Sequence, residues 1–130
     1  MKKILFLLFS LLGLTACSNA QNKAYTDMDV EAFSKFITEK GVQIVDVRTP
    51  EEYVEGHIED AKNINVFDSD FTEKAMKSLD TSKPVAVYCR SGKRSADAAQ
   101  RLSEKGFSVT NLKGGILAWK ANNLPISKYQ

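Results

Sequence analysis

The chain has 130 residues, of which 43% are hydrophobic and 26% are charged, and this predicts one globular domain with no room for a second. The formal net charge is +2, and it falls to 0 without residues 1–16, which hold Lys2 and Lys3. A neutral domain argues against nucleic acid as the partner, because that partner needs a basic face.

The amino terminus has the pattern of a signal peptide. A basic start at Lys2 and Lys3 precedes an apolar run from Ile4 to Leu14, which is too short to span a bilayer as a stable helix. Ser18 to Ala24 is short and polar, as expected of a flexible tether. The chain therefore divides into a predicted signal peptide, a tether and a domain, at residues 1–16, 17–24 and 25–130.

The residue after the predicted signal peptide is a cysteine. The small residues before Cys17 are similar to the lipobox of bacterial lipoproteins, in which that cysteine is lipidated and becomes the new amino terminus. This resemblance implies a lipid anchor in a membrane and a location in the bacterial cell envelope, on the periplasmic or extracytoplasmic side. The alternative is an ordinary secretory signal that is cut nearby, with Cys17 incidental. A lipidated Cys17 would leave Cys89 as the only thiol, and an unpaired thiol outside the cytoplasm suggests chemical use.

Short apolar runs predict five strands that alternate with helical patterns along the domain. The predicted strands are Tyr25–Thr26, Gln43–Val47, Ala61–Val66, Val85–Tyr88 and Phe107–Leu112. This alternation predicts an α/β fold in three layers, α/β/α, with a central, mostly parallel five-stranded sheet and helices on both faces.

The first two helices carry their own start signals. Thr26 or Asp27 can cap the first helix, and Gly41 would stop it. An N-cap at Thr49 predicts the second helix, with Glu52 placed to complete a capping box. Helical spacing predicts that the first helix buries one apolar face, made of Val30, Phe33, Phe36 and Ile37.

The last three helices follow the remaining strands. Ser69 or Asp70 can cap the third helix, with Glu73 completing a capping box for Asp70. The fourth helix is predicted over residues 95–105 and the fifth over residues 116–121. A pair of glycines precedes the fifth helix, and we expect it to make a turn in which two backbone segments approach closely.

The loop that begins at Cys89 carries the most informative chemistry. It follows the strand Val85–Tyr88 and precedes a helix, which is where open α/β sheets bind their ligands. Gly92 lets the backbone curl so that successive N–H groups point inward at an anion. The cations that would help to keep a thiolate ionised are Arg90, Lys93 and Arg94. The alternative is a buried structural cysteine beside a solvated basic turn.

Three segments resemble the signatures of single-domain rhodaneses, which are sulfurtransferases that handle thiosulfate and persulfides. These segments are the loop Cys89–Ser95, the stretch from Asp46 to Ile64 and the run Gly114–Trp119. They occur in the family's order, and the resemblance covers the chain from Tyr25 to Pro125. It implies the rhodanese-like form of the three-layer fold.

The resemblance also implies a sulfurtransferase that works without a cofactor. Cys89 would attack a small sulfur anion such as thiosulfate, with Arg94 as the second catalytic residue. A thiol or cyanide would then remove the sulfur from a persulfide on Cys89. The other loop residues expected to bind the substrate are Arg90, Ser91, Gly92, Lys93 and Ser95. Asp46 and Arg48 would support the loop, and we expect the protein to be a monomer.

Some residue roles stay open at this point. Asp46 and Arg48 could equally form an ion pair at the end of a strand with no catalytic part. His57, the only histidine, could act beside a thiol as in cysteine proteases, but its sequence context resembles a structural loop of the family, which favours packing. No metal site is expected, because no second histidine or cysteine is available to complete one.

Other functions are also compatible with this fold. Phosphatases related to rhodaneses have five residues between the cysteine and the arginine of their loop, whereas four residues separate Cys89 from Arg94. The smaller loop favours sulfur over phosphate or arsenate. A non-catalytic rhodanese-like binding module and a thiol redox partner in the cell envelope remain as alternatives.

Overall fold

A computed structural model describes residues 23–128 as a five-stranded sheet between two layers of helices. The strands lie in the order β1-β5-β4-β2-β3, and every neighbouring pair is parallel. The strands are β1 (Thr26–Met28), β2 (Gln43–Asp46), β3 (Lys62–Asn63), β4 (Val85–Tyr88) and β5 (Val109–Leu112). The predicted signal peptide and Cys17 lie outside the described residues.

Five helices cover the two faces of the sheet. They are α1 (Val30–Phe36), α2 (Pro50–Glu55), α3 (Phe71–Ser78), α4 (Lys93–Ser103) and α5 (Gly115–Ala121). None of the helices within residues 23–128 is long and apolar enough to cross a membrane. The predicted three-layer α/β fold is confirmed, since helices cover both faces of the parallel sheet. Each connection between consecutive strands contains a helix, as parallel strands covered on both faces require.

Two apolar cores lie on opposite sides of the sheet. One packs α3 and α4 against the sheet and includes Phe71 and Leu102, both fully buried. The other packs α1 and α5 against the sheet and includes Phe33 and Trp119. The side chains of β4 are buried on both faces, so this strand runs through the middle of the molecule and carries Cys89 at its carboxyl end.

Several element boundaries differ from the sequence prediction. The third strand was predicted over Ala61–Val66, but the strand itself is limited to Lys62–Asn63. The N–H groups of Ile64 and Val66 still donate to the carbonyls of Asp46 and Val47 at 3.0 Å, and both side chains are buried, before the chain turns at Asn65–Asp68. Helix α4 begins at Lys93, two residues before the predicted start.

The starts of two helices differ from the prediction. Asp29 caps α1 by accepting a hydrogen bond from the Ala32 N–H at 2.9 Å, because the predicted cap residues lie in β1. Asp70 occupies the N-cap position of α3, but its side chain makes no capping hydrogen bond, so the predicted capping box is absent there. The capping box of Thr49 and Glu52 at the start of α2 is confirmed.

Candidate active site

The sulfur of Cys89 lies at the floor of the loop between β4 and α4. The Gly92 N–H donates a hydrogen bond to the Cys89 Sγ at 3.1 Å, and the Ser95 hydroxyl donates a second one at 3.4 Å. Gly92 has a φ of +103°, in the left-handed region, and this turns its N–H inward as the N-cap of α4. Cys89 is only 1% exposed, so a reactant must bring a small atom into the loop.

Two opposing effects set the pKa of the Cys89 thiol. Burial raises this pKa, because the apolar surroundings disfavour a thiolate. Hydrogen bonds from the Ser95 hydroxyl and from the backbone N–H groups of Ser95, Gly92 and Ser91 lower the pKa and outweigh burial. The net shift is downward, so the loop favours the nucleophilic form of the sulfur.

Backbone carbonyls of the same loop point the other way and are held by the start of α5. The Ile116 N–H donates to the Cys89 carbonyl at 2.9 Å, and the Leu117 N–H donates to the Arg90 carbonyl at 3.1 Å. Gly115 makes this contact possible, because a Cβ at that position would lie 2.3 Å from the Arg90 carbonyl oxygen. The predicted close-approach turn at the glycine pair is therefore confirmed.

The buried side chain of Asn111 binds the carbonyl of Gly92, further along the same loop. The Asn111 amide nitrogen donates to the Gly92 carbonyl at 3.3 Å and to the Asp27 carboxylate at 3.0 Å. Asn111 is 3% exposed at the carboxyl end of β5, and its Oδ1 has no hydrogen-bond partner among the described residues. Through the first of these bonds, Asn111 fixes the peptide group that follows Gly92.

Arg94 does not hydrogen-bond to the sulfur. Its two terminal nitrogens each donate to one carboxylate oxygen of Glu52 at 2.9 Å, and its guanidinium lies over the Phe67 ring at 5.4 Å. Hydrogen bonding from Arg94 is the main reason that the pKa of Glu52 falls to about 2. The other predicted loop contacts, Arg90, Ser91 and Lys93, are exposed at the surface of the loop.

The residues predicted to support the loop form a buried ion pair. Arg48 binds the Asp46 carboxylate with bonds of 2.7 to 3.1 Å and donates to the Gly56 carbonyl at 2.7 Å. The Arg48 guanidinium also lies 5.7 Å from the ring centre of Tyr88, the residue before Cys89. Within the described residues, neither side chain hydrogen-bonds to residues 89–95. Their role in catalysis stays a prediction.

His57 is occupied by packing contacts. Its ring stacks on the Tyr53 ring with 3.7 Å between the centroids, and its Nδ1 lies 2.8 Å from the Tyr53 carbonyl oxygen. His57 is fully buried and makes no hydrogen bond to Cys89. The predicted packing role is therefore confirmed. Residues 23–128 contain no cluster of three or more side chains that could hold a metal ion.

Sequence reasoning assigned Glu52 only a capping role and missed Asn111. Asn111 is an amide near the carboxyl end of a buried strand, shortly before the glycine pair, and this position was a detectable signal. Glu52 uses Oε1 for the cap and both oxygens for Arg94. Its second partner lies 42 residues away in the sequence, where no local pattern could reveal it.

Comparisons of this sequence and structure with known proteins all point to one family. The sequence model described as "Rhodanese-like domain" matches residues 29–122. A protein named sulfurtransferase from Allochromatium vinosum is 36% identical over 102 residues, which cover 77% of this chain and 92% of that protein. The thiosulfate sulfurtransferase GlpE of Coxiella burnetii is 37% identical over 91 residues, which cover 68% of this chain and 81% of that protein. The crystal structure of a rhodanese-related protein from Thermoplasma volcanium superposes with a TM-score of 0.72 at 32% identity, covering 81% of this chain and all of that one.

Replacing the Ser95 hydroxyl tests the hydrogen bonds to the sulfur. In Ser95→Ala, the pKa of Cys89 should rise, because one of the donors that stabilise the thiolate is lost. The pH dependence of alkylation by iodoacetamide measures this shift. Ser91→Ala is the matched control, because it removes an exposed hydroxyl and keeps the backbone N–H. An equal shift in both variants would contradict the assignment.

The close approach of α5 to the loop predicts a large stability cost for Gly115→Ala. The new Cβ would collide with the carbonyl groups of Arg90 and Cys89, so unfolding free energy should fall by ~3 kcal/mol or more. Gly41→Ala is the control, because Gly41 also has a positive φ but no atom within 4 Å of the added Cβ, and its cost should be ~1–2 kcal/mol. Urea denaturation measures both values. Equal losses would show that the α5 contact does not hold the loop.

Proposed function

The chain belongs to the rhodanese-like domain family, and on this premise we propose that it transfers a sulfane sulfur from thiosulfate or a persulfide donor to a thiol or cyanide through a persulfide on Cys89. The observation that carries the proposal is the pair of hydrogen bonds from the Gly92 N–H and the Ser95 hydroxyl to the Cys89 Sγ. These donors favour a thiolate over a thiol, and the thiolate is the nucleophile in sulfur transfer.

The first half-reaction loads the enzyme with sulfur. The Cys89 thiolate attacks the outer sulfur of thiosulfate, a new Sγ–S bond forms, and the S–S bond of the donor breaks. Its electron pair leaves with sulfite, and the negative charge stays on the outer sulfur of the new persulfide. A disulfide-type bond is ~2.05 Å long, so the transferable sulfur lies further out in the loop than the Cys89 Sγ.

The second half-reaction releases the sulfur. Cyanide attacks the outer persulfide sulfur, thiocyanate forms, and the electron pair of the broken S–S bond returns to Cys89 as a thiolate. A thiol acceptor reacts in the same way, after loss of its proton to water, and leaves as a persulfide. Donor and acceptor therefore react in turn at one sulfur atom, which is ping-pong chemistry that requires no resident cofactor.

The loop also bears on the two alternative functions. A binding module needs no reactive thiol, whereas this chain retains Cys89 with donors directed at it. A redox partner that forms mixed disulfides would present its sulfur to another protein, whereas Cys89 is 1% exposed. A buried sulfur that receives single atoms fits a sulfur carrier better than a disulfide exchanger.

We also propose that the domain works on the outer side of a membrane, tethered by a lipid on Cys17. The basic start, the apolar run and the small residues before this cysteine support the proposal. An anchor of this kind would place Cys89 within a short tether length of the membrane surface.

Intact-protein mass after thiosulfate treatment tests the proposed activity. The purified protein should gain the mass of one sulfur atom and lose it again when cyanide is added, with formation of thiocyanate. Cys89→Ser should gain no sulfur and show no transfer above background, because the nucleophile is gone. Transfer activity in Cys89→Ser equal to that of the original protein would refute the proposal. A covalent adduct with a partner protein in place of sulfur would favour the redox alternative.

A further inference from the structure

The guanidinium that the loop offers to an anionic donor already has a partner. Both terminal nitrogens of Arg94 bind the Glu52 carboxylate at 2.9 Å in a bidentate pair. Phe67 covers one face of the guanidinium at 5.4 Å. The pair is about one-quarter exposed, with 22% for the Arg94 side chain and 27% for that of Glu52. Arg94 therefore contributes little net positive charge to the loop.

The carboxylate is fixed independently of Arg94. The Thr49 N–H and the Thr49 hydroxyl both donate to the Glu52 Oε1, at 3.0 and 3.1 Å. These bonds tie the carboxylate to the start of α2. A mobile acidic side chain could follow Arg94 toward a substrate, whereas one that is held in a capping box restrains the arginine instead.

The ion pair is close enough to the sulfur to act on its chemistry. Arg94 lies in the first turn of α4, between Gly92 and Ser95, which both donate hydrogen bonds to the Cys89 Sγ. The pKa of Arg94 is raised first by its hydrogen bonds to Glu52 and also by the charge of Cys89. A donor that approaches Cys89 also comes close to Arg94. The more negative charge the donor carries, the more its binding is weakened when Glu52 neutralises this arginine.

Sulfur donors differ in the negative charge that they carry. Thiosulfate carries two negative charges, whereas an alkyl persulfide carries at most one on its reacting end. We propose that Glu52 is a specificity residue: by neutralising Arg94, it lowers the attraction of the loop for dianionic thiosulfate relative to donors of low charge, such as alkyl persulfides. This inference rests on the proposed sulfur transfer and names the donor class that the site prefers.

The reaction with such a donor balances at one sulfur. The Cys89 thiolate attacks the terminal sulfur of R–S–SH, the Sγ–S bond forms, and the S–S bond of the donor breaks. The electron pair leaves with the thiolate R–S⁻, and Cys89 becomes Cys–S–SH, which can release its proton to water. The donor therefore brings one sulfur and no sulfite is made.

The test is the ratio of the two donor reactions in Glu52→Gln. Glutamine still completes a capping box but cannot neutralise Arg94. We expect kcat/KM for thiosulfate to rise by about threefold to tenfold, through a lower KM, and kcat/KM for 2-hydroxyethyl persulfide, which has no other charged group, to change by less than about twofold. High salt should reduce the gain, because it screens the freed guanidinium. Glu51→Gln is the matched control, because it removes the same charge from an exposed neighbour in α2 and should leave the ratio unchanged.

A second variant shows whether the effect passes through Arg94. In the Arg94→Met background, adding Glu52→Gln should leave kcat/KM for thiosulfate at the value of Arg94→Met alone, because no guanidinium is freed. Equal changes for both donors in Glu52→Gln, or an equal change in Glu51→Gln, would overturn the inference. The proposed function is tested separately, since loading of sulfur onto Cys89 of the unaltered protein by either donor would still support it.

Discussion

The active-site loop depends on the direction of a few peptide groups around one sulfur. Every peptide group carries an N–H and a carbonyl that point in opposite directions, so N–H groups that face the Cys89 Sγ leave carbonyls on the outer side. The peptide group between Arg90 and Ser91 is held in this way, because its N–H lowers the pKa of the Cys89 thiol while its carbonyl accepts a hydrogen bond from the Leu117 N–H. The start of α5 also binds the Cys89 carbonyl, and the Asn111 amide binds that of Gly92. The parallel sheet holds these donors in place, because β4 and β5 are neighbours.

Local hydrogen bonds, rather than net charge, determine the state of the sulfur. Burial alone would raise the pKa of Cys89 and make it an ordinary structural thiol, yet the loop donors reverse the direction of the shift. Arg94, which lies in the first turn of α4, is balanced by Glu52 within the protein. This pairing links the proposed chemistry to the proposed donor class, because it removes one positive charge from the surroundings of the sulfur.

The sequence predicts features that depend on neighbouring residues far better than features that depend on distant ones. The capping box of Thr49 and Glu52 and the position of Cys89 after β4 arise from adjacent residues, and the structure contains them. The glycine pair predicts a close approach, but not that its partner is the backbone of Cys89 and Arg90. The partner of Arg94 lies 42 residues away, and the partner of the Gly92 carbonyl lies 19 residues away. Such contacts are set by the packing of the sheet, which no local pattern encodes. The short length of the third strand was not predicted, because apolar residues such as Ile64 and Val66 are buried both inside strands and just beyond strand ends.

Amide chemical shifts recorded by NMR during a pH titration test the central claim most directly. As Cys89 loses its proton, the N–H resonances of Gly92 and Ser95 should move with one common midpoint below the value of ~8.5 for a free cysteine, because these groups donate to the sulfur. The amide of Gly41, far from the loop in sequence and structure, should stay still. Resonances of Gly92 and Ser95 that do not respond to the thiolate would show that the loop does not hold the sulfur in the way described.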